Sequence, residues 1–150
     1  MTRTTEANII RALVETLRAQ NAAFLAEVTS IGVAGHTWNS QKIHEGVAPA
    51  DTDYPFLTYT LVFAPYSDDW TKRTIVAGFD LAAWSDNQVE ANNLDALAMT
   101  TVEDNLAVVD GQTTLYARRA EGLRLPEVDE TGKRIFRAGG TYVIWTDQLL

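Results

Sequence analysis

Two histidines and two aspartates lie in one polar segment of the chain, and they are the residues best suited to bind a metal ion or transfer a proton. His36 and His44 follow the first predicted helix, and Asp51 and Asp53 come shortly after them. Imidazole and carboxylate groups are common ligands of Zn²⁺, which requires three or four ligands in a tetrahedral arrangement. Nothing in the spacing of these four residues requires such a site. Surface histidines in a polar stretch are the simpler explanation, and we predict no metal site.

The other motifs do not complete a catalytic or cofactor-binding set. Asp68–Asp69 lies in a predicted turn, where adjacent carboxylates point apart and stay solvated. Arg118 and Arg119 are consecutive strand residues, so they point to opposite faces of a sheet and cannot bind one anion together. Residues 32–35 lack the Lys-Ser/Thr ending of a phosphate-binding loop, and the chain has no cysteine. The sequence therefore predicts no catalytic residue, no cofactor and no enzyme activity.

Composition favours one soluble domain over residues 1–150. The 150 residues are 46% hydrophobic and 21% charged, which is typical of a globular protein, and two half-length domains would each have a small core. No apolar run is long enough to cross a bilayer, and the first residues do not resemble a signal peptide. The net charge of −8 repels phosphate backbones. We expect no membrane partner, and DNA only as a passing polymer.

Two helical segments are predicted from apolar residues spaced three and four apart. The first spans Ile9 to Val28, and the polar pair Gln20–Asn21 interrupts its apolar stripe, which indicates a bend or a break. The second runs to Leu106 and begins after Ser85, which forms a capping box with Gln88. Its inward face is predicted to contain Leu94, Leu97, Ala98, Val102 and Leu106.

The strands are predicted from alternating apolar residues and from turn residues between them. A short strand covers residues 42–47, and longer ones cover 56–63, 73–84, 113–122 and 133–145. Residues 123–128 could continue the strand 113–122, with Pro126 favouring an edge or a bulge. Residues 56–63 and 73–84 are predicted to pair as an antiparallel hairpin. The alternation predicts one shared face for Leu57, Tyr59, Leu61 and Phe63, and the pair Gly139–Gly140 predicts a bulge or kink. Two helices on one face of a mainly antiparallel sheet of four to five strands give an α+β fold.

Trp70 is the aromatic residue with the least obvious structural role, because it lies in the predicted loop between Asp69 and the basic residues that follow. Aromatic and arginine side chains are enriched at protein interfaces, so Trp70 could anchor a contact with another protein. It could equally fold back over the edge of the sheet. The sequence leaves both interpretations open.

Four features of the chain, taken together, resemble the tail terminator, or tail completion, proteins of long-tailed bacteriophages and prophages. They are the helix Ile9–Val28; the entry Lys42–Val47 leading to Asp53–Tyr59; the strand Ala77–Trp84, which continues through Ser85–Asp86 into a helix; and the closing strand that ends Thr141–Trp145. The similarity covers nearly the whole chain, in patterns and not in catalytic signatures. The segment from Gly122 to Lys133 departs from the family pattern as a local extension.

The resemblance implies a structural virion protein in the tail, at the head–tail interface, which assembles in the host cytoplasm. Such proteins form a ring, commonly a hexamer, that caps the tail tube, ends its polymerisation and joins it to the head connector. The implied partners are other copies of the chain, the major tail tube protein and the connector protein. The alternatives are another connector or tube protein, or a small-ligand-binding or metal-dependent α+β enzyme that uses His44 and Asp53.

A closed ring requires two different patches on each subunit. We predict that two turns at the ends of strands project as contact loops. The predicted interface residues are Tyr66, Asp68, Asp69, Trp70, Lys72, Arg73, Glu127, Asp129, Glu130 and Lys133.

Overall fold

The computed structural model describes residues 6–63, 66–68, 71–105 and 112–149. The helices and strands of this part of the chain follow the predicted order, and the α+β class is confirmed. The elements are α1 (Glu6–Ala19), α2 (Asn21–Ile31), a short 3-10 helix (Ser40–Lys42), β1 (Ile43–Glu45), β2 (Phe56–Phe63), β3 (Tyr66–Asp68), β4 (Lys72–Ser85), α3 (Gln88–Asn105), β5 (Gln112–Val128) and β6 (Arg134–Leu149).

The first predicted helix is two helices, which join at Gln20 as the polar interruption indicated. Helix α2 ends at Gly32, whose left-handed backbone (φ 71°) lets its amide donate to the carbonyl of Val28. Phe24 and Val28 are buried, whereas Leu25 is 39% exposed. Leu25 lies at helical spacing in the predicted apolar stripe, so the stripe is not buried along its whole length. No helix in the described ranges is both long enough and apolar enough to span a membrane.

The strands form a single sheet in the order β1-β2-β4-β6-β5, and β3 pairs with β4 beside this path. The β1–β2 pair is parallel, and the other pairs are antiparallel. The predicted pairing of β2 with β4 is confirmed. The segment between them was predicted to be only a loop, but residues 66–68 within it form β3.

The core lies between one face of the sheet and the three helices. α1, α2 and α3 each contribute to one apolar cluster, which explains why the helices of this fold share a face of the sheet. The large side chains that are completely buried in it are Ile9, Leu13, Leu17, Phe24, Leu57, Phe79, Leu81, Leu94, Tyr142 and Ile144. Burial of Leu94, Ala98 and Val102 confirms the predicted inward face of α3, while Leu106 lies outside the described residues.

Phe63 does not share the face of Leu57 and Tyr59, contrary to prediction. The register shifts between Leu61, which pairs with Phe79, and Phe63, which pairs with Gly78. One extra residue in a strand reverses the alternation, because the side-chain period is two. The Phe63 ring therefore lies over Gly78 on the face away from the helices, 42% exposed.

Gly139 and Gly140 lie in continuous register with β4, so the bulge predicted there is wrong. The irregularities lie in the neighbouring strand β5. A Cβ at Gly139 would be 2.5 Å from the carbonyl oxygen of Leu81, and one at Gly140 would overlap the carbonyl oxygen of Glu121. The two glycines allow close approach of β4 and β5 on either side of β6.

Asn87 caps α3, in place of the predicted capping box of Ser85 and Gln88. The side-chain oxygen of Asn87 accepts a hydrogen bond from the amide of Glu90 at 3.0 Å, which is the usual geometry of an N-cap. Ser85 instead accepts from the amide of Asn87 (3.0 Å) and donates to the Glu90 carboxylate (2.8 Å). The sequence located the start of the helix correctly, but it assigned the cap to the wrong residue.

Candidate functional site

The residues predicted for the first contact loop include all or part of β3 and the start of β4. Tyr66 and Asp68 belong to β3, and Asp68 is opposite Arg73 in the β3–β4 ladder. Lys72 begins β4 and is opposite Leu149 of β6. Asp69 and Trp70 lie outside the described residues, so their predicted roles stay predictions.

The second predicted contact loop, between β5 and β6, is a compact turn built on one carboxylate. Asp129 Oδ1 accepts hydrogen bonds from the Thr131 amide (2.9 Å), the Thr131 hydroxyl (2.6 Å) and the Lys133 amide (2.9 Å). These bonds, led by the one from the Thr131 hydroxyl, lower the pKa of Asp129. Glu130 is exposed at the tip and Glu127 is half-buried in β5. Of the predicted acids in this loop, Glu130 is the most available to a partner.

Lys133 ties this turn to the loop that precedes α3. Its Nζ lies 2.6 Å from Asp86 Oδ2, and this hydrogen bond raises the pKa of Lys133. The Lys133 side chain is 56% exposed and that of Asp86 16% exposed. The predicted loop is therefore held against the body of the protein at this point.

His36 lies between two carboxylates and is not the surface histidine that the sequence indicated. Its Nδ1 is 2.6 Å from Glu90 Oε1, its Nε2 is 3.1 Å from Asp86 Oδ1, and its side chain is only 9% exposed. Glu90, in the first turn of α3, is fully buried. A polar chain thus runs from Glu90 through His36 and Asp86 to Lys133, and it connects the segment after α2, the start of α3 and the β5–β6 turn.

This polar chain does not have the geometry of a nucleophile with its base. The Ser85 hydroxyl is completely buried and hydrogen bonds to Glu90, with no hydrogen bond to His36. A Ser-His-acid triad requires the imidazole to accept the serine proton directly. The groups instead hydrogen bond to one another through Glu90 Oε1, which joins the elements at this point, while Glu90 Oε2 is buried without a hydrogen-bond partner.

Three of the four residues first considered as metal ligands, His36, Asp51 and Asp53, line one open cleft, and His44 does not line it. Asp51 and Asp53 are exposed, and among the described residues no three His, Asp or Glu side chains are grouped as metal ligands would be. The His44 ring packs edge-on against Phe56, with centroids 6.0 Å apart. Burial, together with the nearby charge of Lys42, lowers the pKa of His44, so the neutral ring is favoured.

A second buried ion pair joins α3 to β5. The Arg119 guanidinium donates two hydrogen bonds to Asp95, whose side chain is 2% exposed, and it also donates to the Tyr142 hydroxyl at 2.7 Å. Burial disfavours the charged form of Arg119, but the hydrogen bonds that it donates to Asp95 and Tyr142, with the nearby charge of Asp95, outweigh burial and raise the pKa of Arg119. The expectation that Arg118 and Arg119 point apart is confirmed, since Arg118 is exposed and Arg119 faces α3.

A small cleft at the β5–β6 end of the sheet has arginines from both strands in its lining. Arg124, Arg134 and Arg137 line it together with Leu125 and Phe136. Arg134 lies over the ring of Phe136 (5.3 Å to the ring centre), and Arg137 lies over that of Trp84 (5.6 Å). Sequence reasoning missed this group, although the turn predicted at residues 129–132 would have brought β5 and β6 together as a hairpin and the arginines near one another.

The two outermost strands of the sheet leave different edges open. β5 pairs only with β6, and β1 pairs only with β2, within the described residues. β5 carries the exposed apolar residues Leu123 and Leu125, whereas β1 is followed by the exposed residue Val47 and by Asp51 and Asp53. The two edges therefore differ in length, since β1 has 3 residues and β5 has 17.

Comparison with known proteins connects this fold to a viral particle. No protein-family model matches the sequence, and no curated protein matches it. Among solved structures, the chain is similar to a chain in the virion of a native gene transfer agent particle, with a TM-score of 0.60 and 15% sequence identity. The match covers 90% of this chain and 91% of the other. The two chains share a fold over almost their whole lengths.

Proposed function

We propose that this chain is a structural protein of a phage-like virion and has no catalytic role. The observation that carries the proposal is the match, along nine-tenths of both chains, to a virion component. The family resemblance in the sequence points to the same class of protein independently. On this proposal, residues 1–150 act as one domain, which assembles in the host cytoplasm and resides in the particle at the junction of tail and head.

Within that class, we propose the role of tail terminator. Copies of the chain form a ring, of six subunits in the simplest case, on the last ring of the tail tube. The ring ends tube polymerisation and presents a surface to the head connector. A ring requires two dissimilar patches that close by rotation, and the two open sheet edges offer such a pair. The net charge of −8 suits a ring through which DNA passes without adhering.

The proposed role is tested by polymerising the purified tail tube protein with and without this chain. A terminator is expected to shorten the tubes in proportion to its concentration and to form one ring at the tube end in negative-stain images. A tube subunit would instead form open stacks by itself. A connector would bind the portal side and leave tube length unchanged. Either of these results would refute the terminator role.

The predicted contact loops remain part of this proposal and need a separate test. Trp70→Ala is expected to weaken ring formation or tail joining if the 65–73 loop contacts a partner, since buried aromatic anchors dominate many interfaces. Glu130→Ala tests the other loop without disturbing the Asp129 hydrogen bonds. Unchanged oligomer size and unchanged joining in both variants would remove the loops from the interface.

A further inference from the structure

A stretch of the outermost strand β5 is exposed at every residue from 120 to 126. Within the described ranges β5 pairs only with β6. An uncovered edge strand presents unpaired amides and carbonyls to solvent, and proteins usually block such an edge because it pairs readily with other chains. Here the stretch also carries apolar side chains, since Leu123 is 47% exposed and Leu125 is 42% exposed. An edge left open in this way is a candidate for binding another chain.

Two features limit the open edge to residues 120–125. At one end, the backbone amide of Arg119 donates to the Glu103 carboxylate of α3 at 2.9 Å, so a side chain of the helix occupies it. At the other end, Pro126 has no amide to donate. An extended segment between these two limits spans about 20 Å. This is the usual length of a strand in a sheet, so the edge is long enough to pair with one more strand.

The two faces of this open edge differ in chemistry. Arg124 is opposite Ala138, which in turn is opposite the core residue Ala83, so Arg124 lies on the face of the sheet that the helices cover. Side chains alternate along a strand, so Leu123 and Leu125 lie on the other face. A strand added beside β5 would therefore meet an arginine on one face and leucines on the other.

A cleft of about 350 Å³ opens beside Gly122, and it is lined by Asp95, Arg119, Gly122, Leu123, Arg124 and Gly139. The missing side chain of Gly122 leaves room there, since Arg119 Nη1 lies 3.5 Å from the position that a Cβ would take. A guanidinium has five N–H donors. The Nε, one N–H of Nη1 and both of Nη2 donate to Asp95 and Tyr142. The second N–H of Nη1 takes part in none of these bonds.

Arg124 supplies a second cation to the cleft. Its side chain is exposed, and the ion pairs found within the described residues involve other cations. The Asp95 carboxylate is already paired with Arg119. A carboxylate that enters beside Gly122 would accept charge-assisted hydrogen bonds from both arginines. On the leucine face the exposed Glu121 would repel an acid, so the acid is directed to the helix face.

We propose that residues 120–125 bind an extended segment of another protein in which acidic and apolar residues alternate. The segment adds a strand to the sheet, places an acidic side chain in the cleft between Arg119 and Arg124, and covers Leu123 and Leu125 with its apolar side chains. In strand addition, backbone hydrogen bonds give affinity and pockets for alternate side chains give specificity. The net charge of −8 does not attract acids in general, so the two arginines select the segment and its register.

This inference goes beyond the proposed function and does not depend on ring formation. The segment occupies part of a strand of 17 residues, and the rest of β5 and the contact loops are left for contacts between copies. Peptide binding without shortening of tail tubes would refute the terminator role and leave this inference standing. Tube shortening without peptide binding would do the reverse.

The test is an NMR titration of the isotope-labelled protein with the synthetic peptide TVEVEVT, blocked at both ends. Amide shifts are expected to change around residues 119–126, and hydrogen exchange of the edge amides is expected to slow. The neutral peptide TVQVQVT has the same length and alternation but no charge. Its dissociation constant is expected to be about tenfold higher, because hydrogen bonds to charged groups are the stronger ones.

Arg124→Gln is expected to weaken binding of TVEVEVT about tenfold and to leave binding of TVQVQVT unchanged. The substitution lies on an exposed side chain, so the fold is retained. Arg118→Gln is the matched control, because Arg118 is an exposed arginine of the same strand on the opposite face. It is expected to leave the affinity for both peptides unchanged.

Three results overturn the proposal. One is the absence of shift changes at residues 120–125 up to about 1 mM TVEVEVT. Another is equal weakening by Arg124→Gln and Arg118→Gln, which would mean that net charge and not the cleft determines binding. The third is a change of these shifts with protein concentration in the absence of peptide, which would place a second copy of the chain at this edge.

Discussion

Arg119 on β5 and Asp95 on α3 form a two-pronged ion pair that ties an outermost strand of the sheet to the helix covering it. The pair lies beside an open cleft lined by Asp95, Arg119, Gly122, Leu123, Arg124 and Gly139. Since β5 has only one strand neighbour within the described residues, this side-chain contact is a main support of its position. The position of this outermost strand therefore depends on an ion pair formed in the interior.

Asp95→Asn is expected to lower the free energy of unfolding by about 3 kcal/mol, because it leaves the buried Arg119 charge without its counterion. Chemical denaturation at neutral pH measures the loss. Glu15→Gln is the control, since the Arg11–Glu15 pair spans 4.0 Å and both side chains are more than half exposed; its effect is expected to be below about 0.5 kcal/mol. Equal effects of the two substitutions would contradict the assigned role of Asp95.

Gly139→Ala is expected to destabilise the protein by about 2–3 kcal/mol, as overpacking does in a filled interior. The new Cβ would lie 2.5 Å from the carbonyl oxygen of Leu81 and 2.8 Å from Cα of Ala82, and backbone atoms cannot yield without separating β4 from β6. Gly122→Ala is the matched control, because its Cβ would meet nothing closer than Arg119 Nη1 at 3.5 Å. The midpoint of thermal unfolding is measured for both variants. A lower midpoint for Gly122→Ala than for Gly139→Ala would show that β4 and β6 have room for a side chain at residue 139.

Alkaline pH is expected to destabilise the fold through Tyr142. Burial raises the pKa of Tyr142 above its ordinary value of 10.0, against the opposing effect of Arg119. A raised folded-state pKa means that the stabilising contribution is complete below pH 10.0 and is lost as the pH rises from there toward the folded-state pKa. The slope of the unfolding free energy against pH, above pH 10, measures the loss of this contribution. Tyr142→Phe is expected to be less stable at pH 7 but to show a shallower alkaline slope; an identical slope would assign the loss to other groups.

His36 and Glu90 are expected to be energetically coupled. Removal of His36 leaves the fully buried Glu90 carboxylate without its nearest partner, and removal of Glu90 does the same to the imidazole. In a double-mutant cycle of His36→Ala and Glu90→Ala, we expect a coupling of about 2 kcal/mol at neutral pH. A double-mutant cycle of His36→Ala with Glu15→Ala serves as the control. Additive effects of His36→Ala and Glu90→Ala would show that the short contact contributes little.

Patterns within one element explain most of what could be predicted of the fold. The break at Gln20, the pairing of β2 with β4, the inward face of α3 and the α+β class all follow from periodicity and turn residues. Local rules also located the start of α3. They did not distinguish Asn87 from Ser85 as the cap. Both side chains carry an oxygen that can accept a hydrogen bond from a free backbone amide in the first turn of a helix.

The features that were missed depend on contacts between distant residues. Burial of His36 depends on its approach to Glu90, which lies 54 residues further along the chain. The Arg119–Asp95 pair depends on where α3 crosses the sheet. A single extra residue in β2 moved Phe63 to the other face, and no local signal marks such a shift. The cleft lined by Arg124 and Arg134 can be recognised only when the β5–β6 register is known.

The central position of β4 between β2 and β6 also has a consequence for how the chain folds. α3 and all of β5 separate β4 from β6 in sequence, so their ladder closes a long loop at a high entropic cost, whereas β5 and β6 are joined by a short turn. Low loop-closure cost favours early pairing, so the terminal hairpin should form first and then receive β4 along its inner side. Pulse-labelled hydrogen exchange during refolding would reveal this order as protection of β6 amides bonded to β5 ahead of those in β4, and protection of β4 first would reverse it.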